Sequence, residues 1–561
     1  MLPHGSGRRT ALVVVITGII VVAATLLAYR RPAPAAGPAN PATSSLTLAL
    51  PGPFNGCSVL SPLATSTTSA ILDLIRPSAF QTAPSDVLTG EGGAIVSAEL
   101  VSLHPETVVY SVDPKMRWSN GRAFSVNDLI EWWRSARRID SVNGDGYRAI
   151  ASMKVNKTRT SVTATFSSDF ANWNLLFRDV EQSGASTSCA IGQLSAQPSL
   201  GPYLVRSATT QRIVLVANPQ WTINYNRFHQ VIITASRDLP TSGAKYFVKY
   251  DPVATKSLVE GLAAHPRYLG QFGNSSDLVE ITYSPHAALT SERTMRVALS
   301  WLLERHTILD QLFGTFTFTP AVPTSALLTQ GQTDYPLART TSATNATDPT
   351  LADPSVDCRP CAVDLLRHAG YVDTAAGWRS PSGAPLRVDL AVGPSTLDEQ
   401  TATLVAQQWE AQGIGVSTRR APSDATAADM AARGVVDAAI FDRPTGTTPW
   451  LSARSWDQTP YIDSYPSGVR SVATDLLFSQ AQQTFNPATA TLIWLKMDHL
   501  LLSDFWVRPL YTVPSLTEWS GPVANVVQSL SLSGLVDQVS NWGISLPPPT
   551  TTVKPSASSV G

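Results

Sequence analysis

Hydrophobic and polar positions alternate along residues 107–112 (TVVYSV), which predicts a β-strand with one buried face. The sequence SNG at residues 119–121 is a turn signal, because Asn and Gly both tolerate positive φ. Ser125 is a favourable helix N-cap, and Asp128 places negative charge in the first turn. Apolar residues then recur at helical spacing, at positions 129, 132, 133 and 136. We therefore expect a strand, a turn and a capped helix, with Trp118 in the core or the turn; contact with a ligand is the alternative.

The apolar run at residues 11–29 contains no charge and follows Arg8 and Arg9. Its length is close to the roughly 20 residues that span a bilayer, and the preceding positive charge favours an exported body. Either the run is an uncleaved signal anchor, or it is a signal peptide cleaved after the small-x-small sequence at residues 33–35. Residues 1–45 are thus predicted to be this segment and an Ala/Pro-rich linker, and residues 546–561 a disordered tail.

Length and charge narrow the class of protein. A chain of 561 residues is too long for one core and indicates two or three lobes. The formal net charge of −1 provides no field that would select nucleic acid. We find no Gly-x-Ser-x-Gly, His-Glu-x-x-His or phosphate-loop motif, and the eight His are scattered singly. The protein is not expected to be an enzyme or to need a cofactor.

The four cysteines are Cys57, Cys189, Cys358 and Cys361, an even number that suits an oxidising compartment. Cys358-Arg-Pro-Cys361 opens a helical pattern, so a local structural disulfide is expected there. Redox chemistry is an alternative, since a helix N-terminus stabilises a thiolate. Zinc would need ligands beyond this pair, and His368 is not marked out as one, so no metal site is expected.

Several segments, in order, resemble the family 5 extracellular solute-binding proteins, the dipeptide- and oligopeptide-type receptors of ABC importers. The resemblance covers roughly residues 46–545 and is specific because of the order of its motifs. These are MRWSNGRAFSVNDLIEWW at 116–133, GPYLV at 201–205, IVLVANPQW at 213–221, RTMRVALSWLLERHTIL at 293–309, AVDLLRHAGYVDTAAGWRSPSGAPLRVDLAV at 362–392, QWEAQGIGV at 408–416 and WVRPLY at 506–511.

Within that family, other segments are similar to a group of actinobacterial envelope lipoproteins associated with the synthesis of mannosylated glycolipids. That group is not linked to demonstrated uptake. The segments are LSP at 60–62, AILDLIRPSAF at 70–80, HPETVVYSV at 104–112, GDGYRAIASM at 144–153 and SLSLSGLV at 529–536. The chain departs from the group in lacking a Cys directly after its apolar run, where the lipid would be attached.

The resemblance implies an α/β, two-lobe periplasmic-binding-protein fold of class II type. Lobe I would be discontinuous, comprising residues 46–280 and 510–545, with a subdomain at about 81–185. Lobe II would comprise residues 281–509. Strands that cross between the lobes would act as a hinge that closes around ligand. Because Cys57 and Cys189 both fall in lobe I on this mapping, we expect them within bonding distance of one another.

The same resemblance directs attention to residues 438–450 (AAIFDRPTGTTPW), where peptide receptors of the family often carry an acidic residue that holds the peptide ammonium. Asp442 is the candidate for that role. Arg443 stands beside it, so the two residues could instead pair with each other, on the surface or in the cleft, or Arg443 could accept an anion. Asp442 and Arg443 are therefore both candidate ligand-binding residues.

Aromatic side chains are the other candidates, because their faces suit peptides and sugars alike. Tyr283 lies at a predicted crossing and Trp450 in the lobe II segment; both are predicted to face the cleft, and Trp456 is a further candidate. A position in the core is the alternative for each of them.

Three functions follow from these patterns. The first is a monomeric receptor that binds a peptide or other small solute and delivers it to an ABC permease. The second is a receptor-like scaffold that regulates a membrane-bound envelope enzyme. The third is an exported thiol oxidoreductase that uses Cys358 and Cys361. The first two place the protein on the extracytoplasmic face of the membrane, attached or released according to the fate of the N-terminal segment.

Overall fold

The structure is a computed structural model that describes residues 44–544, except 62, 140–143, 186–188, 222–227, 237–238, 240–244, 317, 319, 336–355 and 458–464. The predicted signal or anchor segment and the predicted tail lie outside the described residues. Among the described residues, no helix combines the length and the apolar character needed to cross a bilayer.

The described strands are short at the edges and long where the chain crosses between its two halves. They are β1 (Ser45–Ala49), β2 (Phe80–Thr82), β3 (Leu88–Gly90), β4 (Ile95–Leu103), β5 (Glu106–Val112), β6 (Ile150–Val155), β7 (Ser161–Phe166), β8 (Tyr203–Ala208), β9 (Arg212–Ala217), β10 (Gln230–Thr234), β11 (Tyr246–Asp251), β12 (Tyr268–Tyr283), β13 (Val372–Thr374), β14 (Gly377–Arg379), β15 (Arg387–Val392), β16 (Gly415–Arg420), β17 (Ala438–Pro444), β18 (Val507–Ser520), β19 (Val523–Ala524) and β20 (Gly543–Ile544).

The described helices cover the faces of these strands. They are α1 (Ser66–Asp73), α2 (Val126–Ala136), α3 (Gly144–Ala149), α4 (Lys256–Ala263), α5 (Arg293–Trp301), α6 (Arg305–Phe313), α7 (Arg359–His368), α8 (Thr396–Glu410), α9 (Asp424–Ala432), α10 (Pro449–Ala453), α11 (Val472–Gln482), α12 (Pro487–Ser503) and α13 (Leu532–Val536). Several begin at a Ser or Thr cap; Ser395, for example, accepts a hydrogen bond from the Asp398 amide at the start of α8.

Ten strands form one mixed sheet in the order β16-β15-β17-β12-β18-β11-β1-β10-β9-β8. The long antiparallel strands β12 and β18 lie at its centre and join the two halves. β18 also pairs with β11, so the C-terminal part of the chain returns to the first half of the sheet. This is the α/β fold with two linked halves that the sequence predicts. The residue limits of the lobes stay a prediction, because a sheet shared by both halves does not itself divide the chain.

The segment that opens the sequence argument belongs to a separate four-stranded antiparallel sheet, in the order β4-β5-β7-β6. The turn is present, with Gly121 at φ +84°. Helix α2 begins as predicted, and the Ser125 amide donates to the Asp128 carboxylate over 2.9 Å. Trp118 is fully buried and packs edge-to-face on Phe124, with ring centroids 5.9 Å apart. The core position predicted for Trp118 is confirmed.

Three large apolar cores hold the described residues together. One lies between β1, β8–β11, α1 and α13. A second lies between the crossing strands and α5–α8. The third joins the four-stranded sheet to α10, α11 and α12, so this small sheet packs against the second half of the chain as well as the first.

Both predicted disulfides are present. Cys57 and Cys189 are bonded with Cα atoms 5.5 Å apart, and Cys358 and Cys361 with Cα atoms 5.3 Å apart. The first bond closes a sequence separation of 132 residues and the second a separation of 3. Cys358 is the N-cap of α7, as its helical pattern indicates.

The two disulfides should contribute unequally to stability. In the chain-entropy account, a disulfide that closes a long loop restricts the unfolded chain more than one that closes a short loop. The resulting gain in the free energy of unfolding is about 5 kcal/mol for Cys57–Cys189 and about 2 kcal/mol for Cys358–Cys361. We expect the Cys57→Ala/Cys189→Ala variant to unfold at a distinctly lower urea concentration than the Cys358→Ala/Cys361→Ala variant, which serves as its matched control. Equal losses in the two double variants would contradict this account.

Candidate functional site

A cavity of about 450 Å³ lies where the two halves of the chain meet beside the crossing strands. Its walls combine hydroxyl groups, two tyrosines and three carboxylates, and none of the described residues that line it is Lys, Arg or His. The lining residues are Pro51, Ser66, Thr67, Ser69, Tyr250, Pro252, Ser276, Asp277, Asp424, Asp442, Pro444, Tyr465, Leu530, Ser531, Leu532 and Ser533.

The crossing strand β12 opens this cavity by leaving its partner β18. Pairing between the two strands is interrupted between Asn274 and Leu278. In the interruption, the Ser276 amide donates to the Leu530 carbonyl and the Ser276 carbonyl accepts from the Thr445 amide. Asp277 therefore sits where the sheet parts, and Leu530 and the residues after it form the opposite wall.

The neighbouring strands β12 and β17 place different charges on their two faces. Leu278 is paired with Arg443 and Val279 with Asp442. Residues two apart on neighbouring strands lie diagonally on one face, within reach of long side chains. On the first face, Arg443 donates to both Glu280 carboxylate oxygens over 2.9 and 2.8 Å, and both side chains are 1% exposed.

The Arg443 guanidinium is held by further contacts on this buried face. It donates to the Ser452 hydroxyl over 2.7 Å and to the Ala326 carbonyl over 2.6 Å. Arg443 thus pairs with Glu280, and the predicted pairing with Asp442 or with an anionic ligand is wrong. The physical reason is strand geometry, because consecutive residues of β17 point to opposite faces.

The second face carries like charges. Asp277 lies diagonally from Asp442, and both line the cavity. Asp442 is partly buried, and its Oδ1 is shielded from solvent without a hydrogen bond from any described residue. The structure therefore places Asp442 in the cleft, as the sequence predicts. Its role in ligand binding stays a prediction.

Asp424 brings a third carboxylate to the cavity from the first turn of α9, whose N-cap Ser423 accepts from the Thr426 amide. Its neighbour is Asp398, a fully buried residue of α8, whose carboxyl group comes close enough to interact with that of Asp424. Gly393 allows this approach, because a Cβ there would lie 2.3 Å from Asp424 Oδ1 and 2.6 Å from Asp398 Oδ2.

The surroundings of these acids favour their neutral forms. Burial raises the pKa of Asp277 to about 6. Burial and then the charge of Asp398 raise the pKa of Asp424 to about 6. Burial is also the main reason that the pKa of Asp442 lies well above its usual range, with Asp277 the next cause. A cation inside the cavity would reverse these shifts, because opposite charge favours the ionised carboxylate.

Aromatic and apolar groups complete the cleft. Tyr465 lines the acidic cavity and stacks on Phe441, with ring centroids 6.0 Å apart. A second cavity of about 1070 Å³ adjoins the first and shares Pro51, Tyr250 and Pro252 with it. Its lining includes the apolar side chains of Val253, Leu258, Leu312, Phe313, Phe316, Leu397 and Leu404. The cleft thus has an acidic end and a larger, mainly apolar end, whose lining also includes Asp251 and Lys256.

Tyr283 does not face the cleft. It is fully buried in the core beneath α5, and its hydroxyl accepts a 3.0 Å hydrogen bond from Ser300. The predicted cleft position is wrong because Tyr283 lies at the end of β12, beyond the cavity, where α5 covers the strand.

Trp450 and Trp456 are also buried, at 0% and 2% exposure. The Trp450 ring packs edge-to-face on Phe170 of the small-sheet region, with centroids 5.2 Å apart, and its indole donates to Gln482 over 2.9 Å. Trp450 was expected in the cleft but instead joins the small-sheet region to the second half of the chain. The core alternative holds for both tryptophans.

Sequence reasoning missed Asp277 and Asp424. Asp424 had a local signal, since it follows Ser423 in a capping position, but that signal indicates a helix start and no ligand. Asp277 had no local sequence signal, because its position depends on the pairing of β12 with β17. Among the described residues, no group of His, Cys, Asp and Glu is arranged to hold a metal ion.

Fold and cleft together define a periplasmic-binding-type protein with a solute cavity between two halves. The profile of the bacterial extracellular solute-binding proteins, family 5 Middle, matches residues 101–459, and the chain belongs to this family. Its solved relatives include the periplasmic EDTA-binding protein EppA, with a TM-score of 0.76 and 21% identity over 90% of this chain and 97% of EppA. At that identity the likeness shows the fold alone.

Two curated relatives come from Mycobacterium tuberculosis. The oligopeptide-binding protein OppA is 28% identical over 166 residues, which are 27% of this chain and 28% of OppA. LpqW, described as a probable monoacyl phosphatidylinositol tetramannoside-binding protein, is 28% identical over 120 residues, 20% of this chain and 19% of LpqW. The chain thus spans less than a third of the length of the curated relatives that it matches.

Replacing one member of the Arg443–Glu280 pair should lower the free energy of unfolding more than replacing both members. Glu280→Gln or Arg443→Met alone leaves one buried charge without its partner, which costs about 3–5 kcal/mol of unfolding free energy. The double variant replaces both charges, and we expect it to be more stable than either single variant. Urea unfolding of the four proteins measures this, and additive losses in the double variant would contradict it.

The cleft acids should make the empty protein less stable as pH rises. The folded-state pKa of Asp277, about 6, lies above its ordinary value near 4. Its contribution to stability is therefore complete below pH ~4 and is lost as pH rises through ~6. Asp277→Asn should be more stable than the parent by on the order of 2 kcal/mol at pH 8 and equal to it at pH 4.

Thermal unfolding across that pH range checks this, with Asp364→Asn on the exposed face of α7 as the control. An Asp277→Asn variant with the same pH dependence as the parent would refute the assignment.

Proposed function

We propose that this protein is an extracytoplasmic receptor that binds a solute with a protonated amine, of the peptide class, in the cavity between its two halves. The observation that carries the proposal is the like-charged pair of Asp277 and Asp442 in a cavity whose described lining contains no basic side chain. Like charges at this spacing repel one another, and a bound ammonium would turn that repulsion into two charge-assisted hydrogen bonds.

The ammonium would lie at Asp442, whose shielded Oδ1 is free to accept from it, with Asp277 beside it. The rest of the ligand would extend past Tyr250 into the larger apolar cavity, where its side chains would contact Phe313 and Leu397. Tyr465 would offer a ring face beside the ammonium. This arrangement has a polar anchor and an apolar remainder, which suits a short peptide.

The family and the likeness to OppA support delivery of this ligand to an ABC permease. We further propose that the protein acts as a monomer, binds its ligand without chemical change, and is held at the outer face of the cell membrane by residues 11–29. Permease and ATPase genes beside the gene for this chain would support the transport role.

A second function is favoured by the likeness to LpqW, namely an envelope scaffold whose ligand is a mannosylated phospholipid. The phosphodiester of such a lipid is anionic, and the three carboxylates that line the cavity would repel it. The acidic end of the cleft therefore supports the amine ligand over the lipid. Native mass spectrometry of the purified protein separates the two by the mass of any co-purifying molecule.

Removal of the Asp442 charge should weaken binding of an amine ligand. Calorimetry of the full-length protein at pH 7.5 with Ala-Ala-Ala should show affinity at least tenfold weaker in Asp442→Asn, a difference of ~1.4 kcal/mol or more. N-acetyl-Ala-Ala-Ala should bind poorly to the parent. Affinity should also fall from pH 7.5 to pH 5, because Asp277, beside the ammonium, takes up a proton at a pKa of about 6.

Asp364→Asn is the control and should bind like the parent, since Asp364 lies on the exposed face of α7. Unaltered affinity in Asp442→Asn would remove Asp442 from the site. Binding of phosphatidylinositol mannoside, with no binding of any peptide, would favour the scaffold function.

A further inference from the structure

The acidic end of the cleft, once its carboxyl groups are ionised, carries more negative charge than one ammonium can balance. Asp277, Asp424 and Asp442 line it, and Asp398 lies directly behind Asp424. A cation near Asp424 would favour its ionised form, so Asp424 would then carry one charge. Asp277 and Asp442 would carry one each once a cation is bound.

The nearest guanidinium cannot offset this charge. Arg443 follows Asp442 in the chain but lies on the opposite face of β17, where Glu280 already balances it at 2.8 Å. The described residues that line the cavity contribute hydroxyls, tyrosines, prolines and leucines, which provide no positive charge. Protons balance these carboxyl groups while they are neutral, so a ligand that ionises them has to bring the balancing positive charge itself.

The three lining carboxylates also come from different directions. Asp277 and Asp442 lie on adjacent strands of the sheet, whereas Asp424 projects from the first turn of α9. A single ammonium has three donors, but it brings one unit of charge, so repulsion among the ionised carboxylates would remain. Two amines a few bonds apart would each meet at least one carboxylate.

We propose that the ligand carries two cationic groups at one end, as in a peptide whose first residue is lysine. The α-ammonium would lie between Asp277 and Asp442, and the side-chain ammonium would reach Asp424. This inference rests on the proposed function and adds the class of ligand that the cavity selects. A free aliphatic diamine shares the same chemistry, but the adjoining apolar cavity favours the peptide, since a diamine would leave that space unfilled.

Calorimetry of the full-length protein at pH 7.5 tests this with four probes: Lys-Ala-Ala, Nε-acetyl-Lys-Ala-Ala, Ala-Ala-Ala and 1,5-diaminopentane. We expect Lys-Ala-Ala to bind at least tenfold more tightly than its acetylated form, which has the same backbone and lacks only the second charge. Ala-Ala-Ala should bind with an affinity close to that of the acetylated peptide.

Asp424→Asn should remove the advantage of Lys-Ala-Ala over its acetylated form. Asp364→Asn on exposed α7 is the matched control and should preserve the whole pattern. The comparison of the four probes on the parent protein stands even if the Asp424→Asn variant does not fold.

The outcomes separate this inference from the proposed function. Equal affinity for the three peptides would overturn the proposal that the ligand carries a second charge, and it would leave the proposed function as an amine receptor intact. Absence of binding by all four probes would overturn both. Tight binding of 1,5-diaminopentane together with weak binding of the peptides would support the dicationic ligand and identify a free diamine as its source.

Discussion

The cleft depends on how the strand pair β12 and β17 distributes charge. On one face, Arg443 and Glu280 neutralise each other in the protein interior. On the other, Asp277 and Asp442 face the cavity together. The Arg443–Glu280 pair fixes β17 against the crossing strand. Asp277 and Asp442 are therefore held together despite the repulsion between their carboxylates. A binding site can keep such strain only when the surrounding structure enforces it.

Much of the fold could be predicted, because ordered local motifs such as the capped helix α2 depend on neighbouring residues. Asp442 was singled out differently, through the resemblance of residues 438–450 to the segment that holds the peptide ammonium in the family. The partner of Arg443 was not predicted, because it depends on which residue of β12 lies beside β17. Tyr283 lies on the same face of β12 as Asp277. Tyr283 is in the core and Asp277 is in the cleft only because α5 packs over the end of β12 that carries Tyr283.

Fold and ligand chemistry separate clearly in this family. EppA shares the fold over 90% of this chain, and its name gives EDTA, a polyanion, as its ligand. The cavity described above has the opposite character, with carboxylates and no basic group among its described lining. Under the proposed function, the scaffold supplies a cleft between two halves, and a few side chains at the parting of β12 from β18 would decide the sign of the charge that it accepts.

The contact of Phe170 with Trp450 has a consequence for the motion of the molecule. Rotation of the halves about β12 and β18 would also part the Ala171 amide from the Gln482 carbonyl, now 2.8 Å apart, and Arg454 from Asp145, now 3.0 Å apart. None of these residues lines the acidic cavity, yet contacts that break on opening would shift the balance between open and closed populations. Apparent affinity scales with the fraction of molecules in the binding-competent state, so the small sheet would influence the affinity for a ligand bound in that cavity.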